Sequence, residues 1–599
     1  MWLRDSLWMT GLVAAALLFA PAVAPAKPSD GALTQLPGKR GCVAYKERDC
    51  SPGRIGGHKV MLSTDQRFLY VASGELALAG YRRDRGTGRL RPVAGAGGCI
   101  TATAFDDQFL LYESARAVRS CTRSTLLGGP SFWTLGMAIS PDGRHLYVAG
   151  NRHTRVARQT YESDAVVLVL RRNRRTGELR QIGCLTEGGQ PPCVALRGAE
   201  DGLEEVVISP DGESVYVGAN VEIEGDDASS MAVLDRDPVS GALTQLEGPA
   251  GCLAPPGYPG CEPARGLNER TSALALSPDG RNVYLAGMDA FLLAGEEEGH
   301  PDGTLAVFQR DPGTGALTQL AGEAGCLAGT SREGCAPGRR LGSYPPNVPE
   351  LAISPDGRNA YAIFETSSGP GGLGVYRRNA ATGALTELPG RRACLSAGGG
   401  GGCTRARAIE EPEAVTVSAD GRNVYVTSFN SHATSIFVRR PGSGALRQRR
   451  GSAGCIGGLP GPPIPGPLGG VFNADRGCAD GAVGGTDLEL TRDGAYGYAP
   501  GDGTIVTLAR NPPRIRALIR PRRCLTAHSS ATITVTAYAP LRRVTVRLDG
   551  RVIANTRRRR FRVRLAPGQH TSRQGLSVVA ADNRGRLSRV QGTLRNCTG

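Results

Sequence analysis

Acidic residues recur at one place in a repeated pattern, at the start of a strand that ends in a Ser- or Thr-containing turn. Counting five and four positions back from that turn residue gives His58/Lys59, Leu135/Gly136, Glu204/Glu205, Ser272/Ala273, Pro349/Glu350, Glu413/Ala414 and Thr486/Asp487. Carboxylates, one imidazole and one ammonium therefore converge wherever these strand starts converge. Side chains alternate along a strand, so one member of each pair faces a given side. The inner set on this reading contains Glu204 or Glu205, Glu350, Glu413 and Asp487, with His58. Such a ring can hold a cation or supply a general base for hydrolysis. It can equally be the polar lining of a water-filled channel, satisfied by solvent and basic neighbours. No nucleophile elbow, metalloprotease motif or calcium loop accompanies it. No metal and no cofactor is assigned.

Two other groups have chemical potential. Glu296-Glu297-Glu298 with His300 and Asp302 reads as a charged exposed loop. Trp133, beside Phe132 at a strand start, is the one tryptophan beyond the N-terminal segment. It could stack on a sugar, although a lone tryptophan more often packs in a core.

The positioning elements come from a module repeated seven times. One half is an apolar strand, a turn and a strand ending near Tyr-Val. Its turns are Ser63-Thr64-Asp65, Ser140-Pro141-Asp142-Gly143-Arg144, Ser209-Pro210-Asp211-Gly212, Ser277-Pro278-Asp279-Gly280-Arg281, Ser354-Pro355-Asp356-Gly357-Arg358, Ser418-Ala419-Asp420-Gly421-Arg422 and Thr491-Arg492-Asp493-Gly494. Proline sets its own φ, and Asp-Gly accepts a tight turn between antiparallel strands. The other half reads as strand, Gly-containing turn, strand, as in LAVFQRDPGTGALTQL. Four short antiparallel strands per module cannot bury their own apolar face, so the modules must stack. The expected fold is all-β: a seven-bladed β-propeller followed by a small β-sandwich. The seventh module stops after TIVTLARNPP, and Asp30-Gly31-Ala32-Leu33-Thr34-Gln35-Leu36 is its missing fourth strand. The N-terminal strand should therefore close the ring and remove its open edges.

Across about residues 29–512 the modules resemble the seven-bladed lactonase-like propellers, related to YVTN repeat proteins and to the 6-phosphogluconolactonase propellers. The resemblance rests on Ser-Pro-Asp-Gly-Arg before a strand ending Tyr-Val. It implies the blade fold. Activity is a weaker implication, because the family includes sugar-lactone hydrolases and many propellers of this kind are not enzymes. No catalytic motif of the family falls on this chain.

Of the 16 cysteines, most follow the same strand in successive modules. The repeat pairs Cys42 with Cys50, Cys99 with Cys121, Cys184 with Cys193, Cys252 with Cys261, Cys326 with Cys335, Cys394 with Cys403 and Cys455 with Cys478. Cys524 and Cys597 bracket the last domain and pair with each other. Eight disulfides require an oxidising compartment. Residues 1–26 agree: Arg4, the apolar LVAAALLFA and small residues before position 27 read as a cleaved secretory signal. The expected domains are 1–26 signal, 27–512 propeller and 513–599 a basic β-sandwich, which resembles the bacterial immunoglobulin-like modules in Leu548-Asp549-Gly550-Arg551, Pro567-Gly568-Gln569-His570 and Ala581-Asp582-Asn583-Arg584-Gly585. The mature protein is expected to be secreted or cell-envelope-associated, with no transmembrane segment after cleavage.

The last domain concentrates the charge. From residue 514 onward there are 20 arginines, no lysine and 2 aspartates, a net +18, against +16 for the whole chain. Everything before it therefore sums to −2. The candidate binding residues are Arg542, Arg543, Arg547, Arg557, Arg558, Arg559, Arg560, Arg562 and Arg564, together with Trp133. Arginine forks suit phosphate and carboxylate, so an anionic cell-wall polymer or polysaccharide is a candidate partner, with a protein partner on the propeller's loop face. No reading helix or finger is present for sequence-specific nucleic acid. Two functions remain: a binding or interaction scaffold, and a lactonase-like hydrolase acting on a sugar lactone at the acidic mouth.

Overall fold

The computed structural model describes residues 31–595 except 45–48, 55–56, 74–76, 103–119, 125–130, 156–160, 268–269, 289–302, 330–333, 339–349, 367–368, 458–476, 482, 484–485, 502–503, 511–514, 521–530, 538–540, 559, 566–572 and 583–586. Among these the fold is all-β, with short 3-10 turns and no α-helix. The leader, the acidic 296–302 loop, Arg559 and the Cys524/Cys597 pair lie outside the described residues.

The repeat unit is well illustrated by Arg270–Leu276, Asn282–Met288, Thr304–Arg310, Leu317–Gln319, Cys326–Ala328 and Ala336–Pro337, which form one sheet. Its first turn is held by Ser277, whose hydroxyl donates to Asp279 at 2.5 Å and accepts the Asn282 amide at 3.0 Å. Gly280 supplies the required positive φ of 68°. Seven described sheets of five or six strands follow this plan.

The unit differs from four plain antiparallel strands. The fourth strand breaks at the 3-10 turn Gly322–Gly325, and both halves, Leu317–Gln319 and Cys326–Ala328, pair with Thr304–Arg310. A further two-residue strand, Ala336–Pro337, then pairs in parallel with Cys326–Ala328. The cysteine pair explains this addition, because Cys326–Cys335 brings the returning chain beside the strand it left. Seven disulfides are present among the described residues, each in the pairing expected from the repeat.

Apolar clusters join each sheet to its successor. One combines Tyr216, Met231 and Val233 with Val283, Leu285 and Phe308. Another combines Tyr425 and Ile436 with Leu33, Val506 and Leu508. In that cluster the N-terminal strand Leu33–Gln35 pairs antiparallel with Thr504–Arg510, and the Tyr425 hydroxyl donates to Gly31 O at 2.7 Å.

A polar clamp repeats beside each cluster. An arginine ending the third strand donates Nε to a tyrosine of the preceding sheet: Arg83 to Tyr498, Arg172 to Tyr70, Arg236 to Tyr147, Arg310 to Tyr216, Arg378 to Tyr284, Arg439 to Tyr361 and Arg510 to Tyr425. Each tyrosine in turn donates to the carbonyl of a glycine in its neighbour's second turn, as Tyr216 does to Gly315 at 2.7 Å. Gly315 has φ 75°, and a Cβ there would meet the Ser214 hydroxyl at 2.5 Å, so this glycine serves both the turn and the close approach. Six of the arginines also pair with the turn aspartate of the preceding sheet, such as Arg439 with Asp356 at 2.7 Å.

The C-terminal unit has a sheet of Ile515–Arg520, Ala531–Ala537 and Arg560–Leu565, and a second of Arg551–Thr556, Leu541–Leu548, Arg573–Asp582 and Leu587–Arg595. Ile533, Val535 and Leu565 of the first pack on Val544, Val546, Leu576 and Val578 of the second.

Candidate functional site

In six of the seven sheets the first strand begins within two residues of the paired positions read from the sequence. In several of them the backbone carries a β-bulge at that start, with register shifts between Leu203 and Glu205, Thr271 and Ala273, and Pro412 and Ala414. A bulge inserts one residue and resets the alternation. It therefore decides which residue of each pair faces inward.

The position four before the turn residue forms the convergent set. Lys59 Nζ donates to Glu350 Oε1 at 2.9 Å and lies 3.5 Å from Glu205 Oε2. These three residues come from the first, third and fifth inner strands in chain order, so Lys59 reaches past its immediate neighbours. Asp487 Oδ2 accepts the Val60 amide at 2.8 Å, and Glu350 Oε2 accepts the Val415 amide at 2.9 Å. Two carboxylates thus bind the backbone of the following inner strand. Glu489, two residues beyond Asp487, does the same to the Leu62 amide at 3.3 Å.

The expected residues separate in this geometry. His58 is exposed and Lys59 is the basic member of the cluster. Glu204 sits in the bulge and accepts from Asn220 Nδ2 at 3.0 Å, while Glu205 meets Lys59. Glu413 also occupies a bulge position and is 9% exposed. Glu350 meets Lys59, and Asp487 holds the Val60 amide. Glu489 was missed, although its place two residues along the same strand face is a signal that strand alternation supplies.

The electrostatics are those of a crowded, partly dehydrated acid cluster. Burial works against the charge of Lys59, but Glu350, Glu205 and Asp487 outweigh it and hold the ammonium well above its ordinary range. Burial pushes Glu413 up to about 8, aided by Glu411 and opposed by Lys59. Burial and Asp487 push Glu489 up to about 8. Burial and Glu350 raise Asp487 to about 7. Glu204 rises to about 7 through burial, against the pull of Arg270. That arginine also pairs with Asp227 at 2.9 Å and Asp201 at 3.3 Å, a small cluster that sequence reasoning did not find. Carboxyls poised near neutrality can exchange protons with a ligand.

The segments joining the second and third strands of their modules, residues 150–163, 220–230 and 288–303, differ in length and chemistry, and the first two are largely strand. Residues 214–223 and 226–236 continue as paired strands through most of the 220–230 segment. Strands His145–Arg155 and Tyr161–Arg172 likewise extend into the 150–163 segment. The 288–303 segment falls mostly outside the described residues. Trp133 lies in strand Ser131–Ile139, but its side chain is outside the description. In the C-terminal unit, Arg542, Arg543, Arg547, Arg557, Arg558, Arg560, Arg562 and Arg564 are exposed. No described ion pair involves any of them.

No protein-family model and no curated protein matches this chain. Solved structures do. A Bacteroides uniformis protein assigned as a 6-phosphogluconolactonase is 16% identical, with a TM-score of 0.39, covering 71% of this chain and 89% of its own. The Pseudomonas aeruginosa periplasmic gluconolactonase PpgL is 13% identical, with a TM-score of 0.38, covering 82% and 99%. Hydrazine synthase of Kuenenia stuttgartiensis is 12% identical, with a TM-score of 0.39, covering 76% and 95%. None of these likenesses is close enough to carry an activity or a residue's role to this chain.

Proposed function

We propose that the mature protein is a secreted or envelope-associated binding scaffold. It is read as a seven-bladed β-propeller over residues 27–512, closed by its N-terminal strand, with an immunoglobulin-like module over 513–599 that attracts polyanions. The seven disulfides support an oxidising destination.

The observation that carries the scaffold reading is the use made of the inner carboxylates. Glu350, Asp487 and Glu489 each accept a backbone amide of the next inner strand, and Glu350 and Glu205 also flank Lys59. A general base needs an oxygen free to reach a substrate water. These oxygens are engaged in joining strands. The ring therefore acts first as architecture.

Glu413 favours the second reading, a lactonase-like hydrolase. It is buried, raised to about 8, and has no hydrogen bond among the described residues. A panel of sugar lactones and phosphosugar lactones, with E413A and E350A as controls, separates the two. The expected result is no turnover above the spontaneous rate. Turnover abolished by E413A, with the thermal transition intact, makes the protein a hydrolase and displaces the scaffold reading.

A further inference from the structure

The C-terminal unit carries its charge in two geometrically different ways. On Arg560–Leu565 the residues alternate strictly: Arg560, Arg562 and Arg564 are exposed, while Leu565 is buried and Phe561 and Val563 pack on the same core. Consecutive arginines on one face of a strand stand about 6.8 Å apart. The adjacent strand places Thr534 opposite Arg562 and Thr532 opposite Arg564. Directly opposite residues share a face, so half-buried threonines run beside the arginine row, while Ile533 and Val535 between them are buried. Among the described side chains the second sheet offers no such row, because Thr545 separates Arg543 from Arg547 on its outer side.

We infer that this arginine ladder is a docking face for an extended phosphodiester chain without bases, of the poly(alditol phosphate) kind. The inference rests on the polyanion reading of this unit and names its ligand chemistry. Between alternate Cα atoms the polypeptide has six backbone bonds, and a three-carbon phosphodiester has the same six from one phosphorus to the next. Both extend to about 7 Å, so successive phosphates fall in register with successive guanidinium groups. Each guanidinium offers a two-pronged donor matched to phosphate oxygens, and the threonine hydroxyls add donors alongside. Single-stranded nucleic acid shares the phosphodiester but is gripped by aromatic stacking. The one described ring of this unit, Phe561, faces the core instead. Asp549, the acid whose side chain is described here, sits at the turn after Leu541–Leu548 of the other sheet, bonded to the Gly575 amide at 2.7 Å. Charge on this edge strand would also resist edge-to-edge pairing, and the test must tell that role apart.

The test uses the mature full-length chain with three probes of matched charge: a poly(glycerol phosphate), an oligothymidylate and a polygalacturonate. R560Q/R562Q/R564Q is compared with R542Q/R543Q/R547Q, which removes equal charge from the opposite sheet. Matching thermal transitions establish that both variants are folded. The expected result is binding of poly(glycerol phosphate) with a log–log salt slope steeper by about 2 than in the ladder variant, as three phosphate contacts predict for a single strand. The ladder variant should lose about tenfold or more in affinity at low salt, and the opposite-face variant, equal in charge removed but without the in-register row, should lose several-fold less. Equal losses in the two variants, or equal binding of polygalacturonate, overturn the ladder while leaving general polyanion binding in place. Tighter binding of oligothymidylate than of poly(glycerol phosphate) assigns the face to nucleic acid and overturns the base-free ligand. A ladder variant that binds normally but aggregates assigns the arginines to edge protection. Failure of the wild type to bind any of the three removes the polyanion reading itself.

Discussion

The inter-sheet clamp gives the sharpest stability prediction. Arg439 is 3% exposed and donates to the Tyr361 oxygen at 2.8 Å, Gly421 O at 2.9 Å, Asn359 Oδ1 at 2.6 Å and Asp356 at 2.7 Å. R439M keeps an apolar side chain of similar reach and deletes these bonds. Tyr361 still donates to Gly444, but its oxygen and Asn359 Oδ1 each lose a donor while buried. A buried polar group left unsatisfied costs about 1–3 kcal/mol, so the pair gives about 2–6 kcal/mol. Asp356, a third exposed, can rehydrate and adds little. The range agrees with about 3–5 kcal/mol for breaking a buried ion pair by removing one partner.

In a cooperative unit larger than an ordinary domain, each kcal/mol moves the transition by no more than about 2 °C. R439M should therefore lower Tm by about 5 °C in calorimetry at a fixed scan rate. R422M, an exposed arginine of the same turn, should stay within about 0.5 kcal/mol of wild type. Arg83 supplies an internal comparison. It holds Tyr498 and the Gln66 carbonyl, but its Nη2 is buried with no hydrogen-bond partner. R83M should accordingly cost less than R439M. The reasoning fails if R439M costs no more than R422M, or if R83M costs as much as R439M.

Removing residues 27–41 takes away the strand that pairs with Thr504–Arg510 and the Gly31 carbonyl that receives Tyr425. The truncated protein should lose its single sharp thermal transition and bind a hydrophobic dye; an unchanged transition would show that this strand closes nothing. Stability should also depend on pH with two opposed limbs. Burial acts to raise the turn aspartates, but their serine hydroxyls, backbone amides and clamp arginines hold Asp142, Asp279 and Asp356 below the ordinary range. Their contribution is present above the unfolded pKa and is lost as pH falls through the folded one. Glu413 and Glu489, raised to about 8, act the other way: their contribution is full below the unfolded pKa of about 4 and is lost as pH rises through 8. Tm should peak on the acid side of neutral, and E413Q should flatten the alkaline limb alone. A wild-type optimum above pH 8 would contradict these signs.

The repeat made the sheets and disulfides legible because it displays the same local solution several times. Each Ser-Pro-Asp-Gly turn carries its own mechanism, a hydroxyl and a carboxylate capping the following amides, and needs no tertiary information. The break in the fourth strand was less visible. Leu-Thr-Gln-Leu and the following Gly-Cys look like one strand with a tail, and only the parallel return held by the second cysteine explains why the chain turns there. The clamp was present in the sequence as a tyrosine and an arginine in every module. Each side chain is satisfied by a neighbouring module, so no pattern within one module reveals the bond. At the inner strand starts, alternation left Glu204 and Glu205 as alternatives, and the bulge before Glu205 is what brings Glu205 to Lys59.

The contrast between these two sets of positions separates structure from specialisation. Tyrosine and arginine are the same in all seven clamps, as expected when every sheet must meet its neighbour in the same way. The inner positions read Lys59, Gly136, Glu205, Ala273, Glu350, Ala414 and Asp487. Seven acids at these positions would repel one another, and seven alanines would offer no charge to pair. The actual set places one ammonium among three acids. Lys59 sits against Glu350 and Glu205, and Asp487, raised to about 7, relieves the remaining repulsion by holding a proton near neutrality. Departure from strict repetition is therefore what permits opposite charges to meet at these half-buried positions. It also makes Lys59 the ammonium that Glu205 and Glu350 both contact.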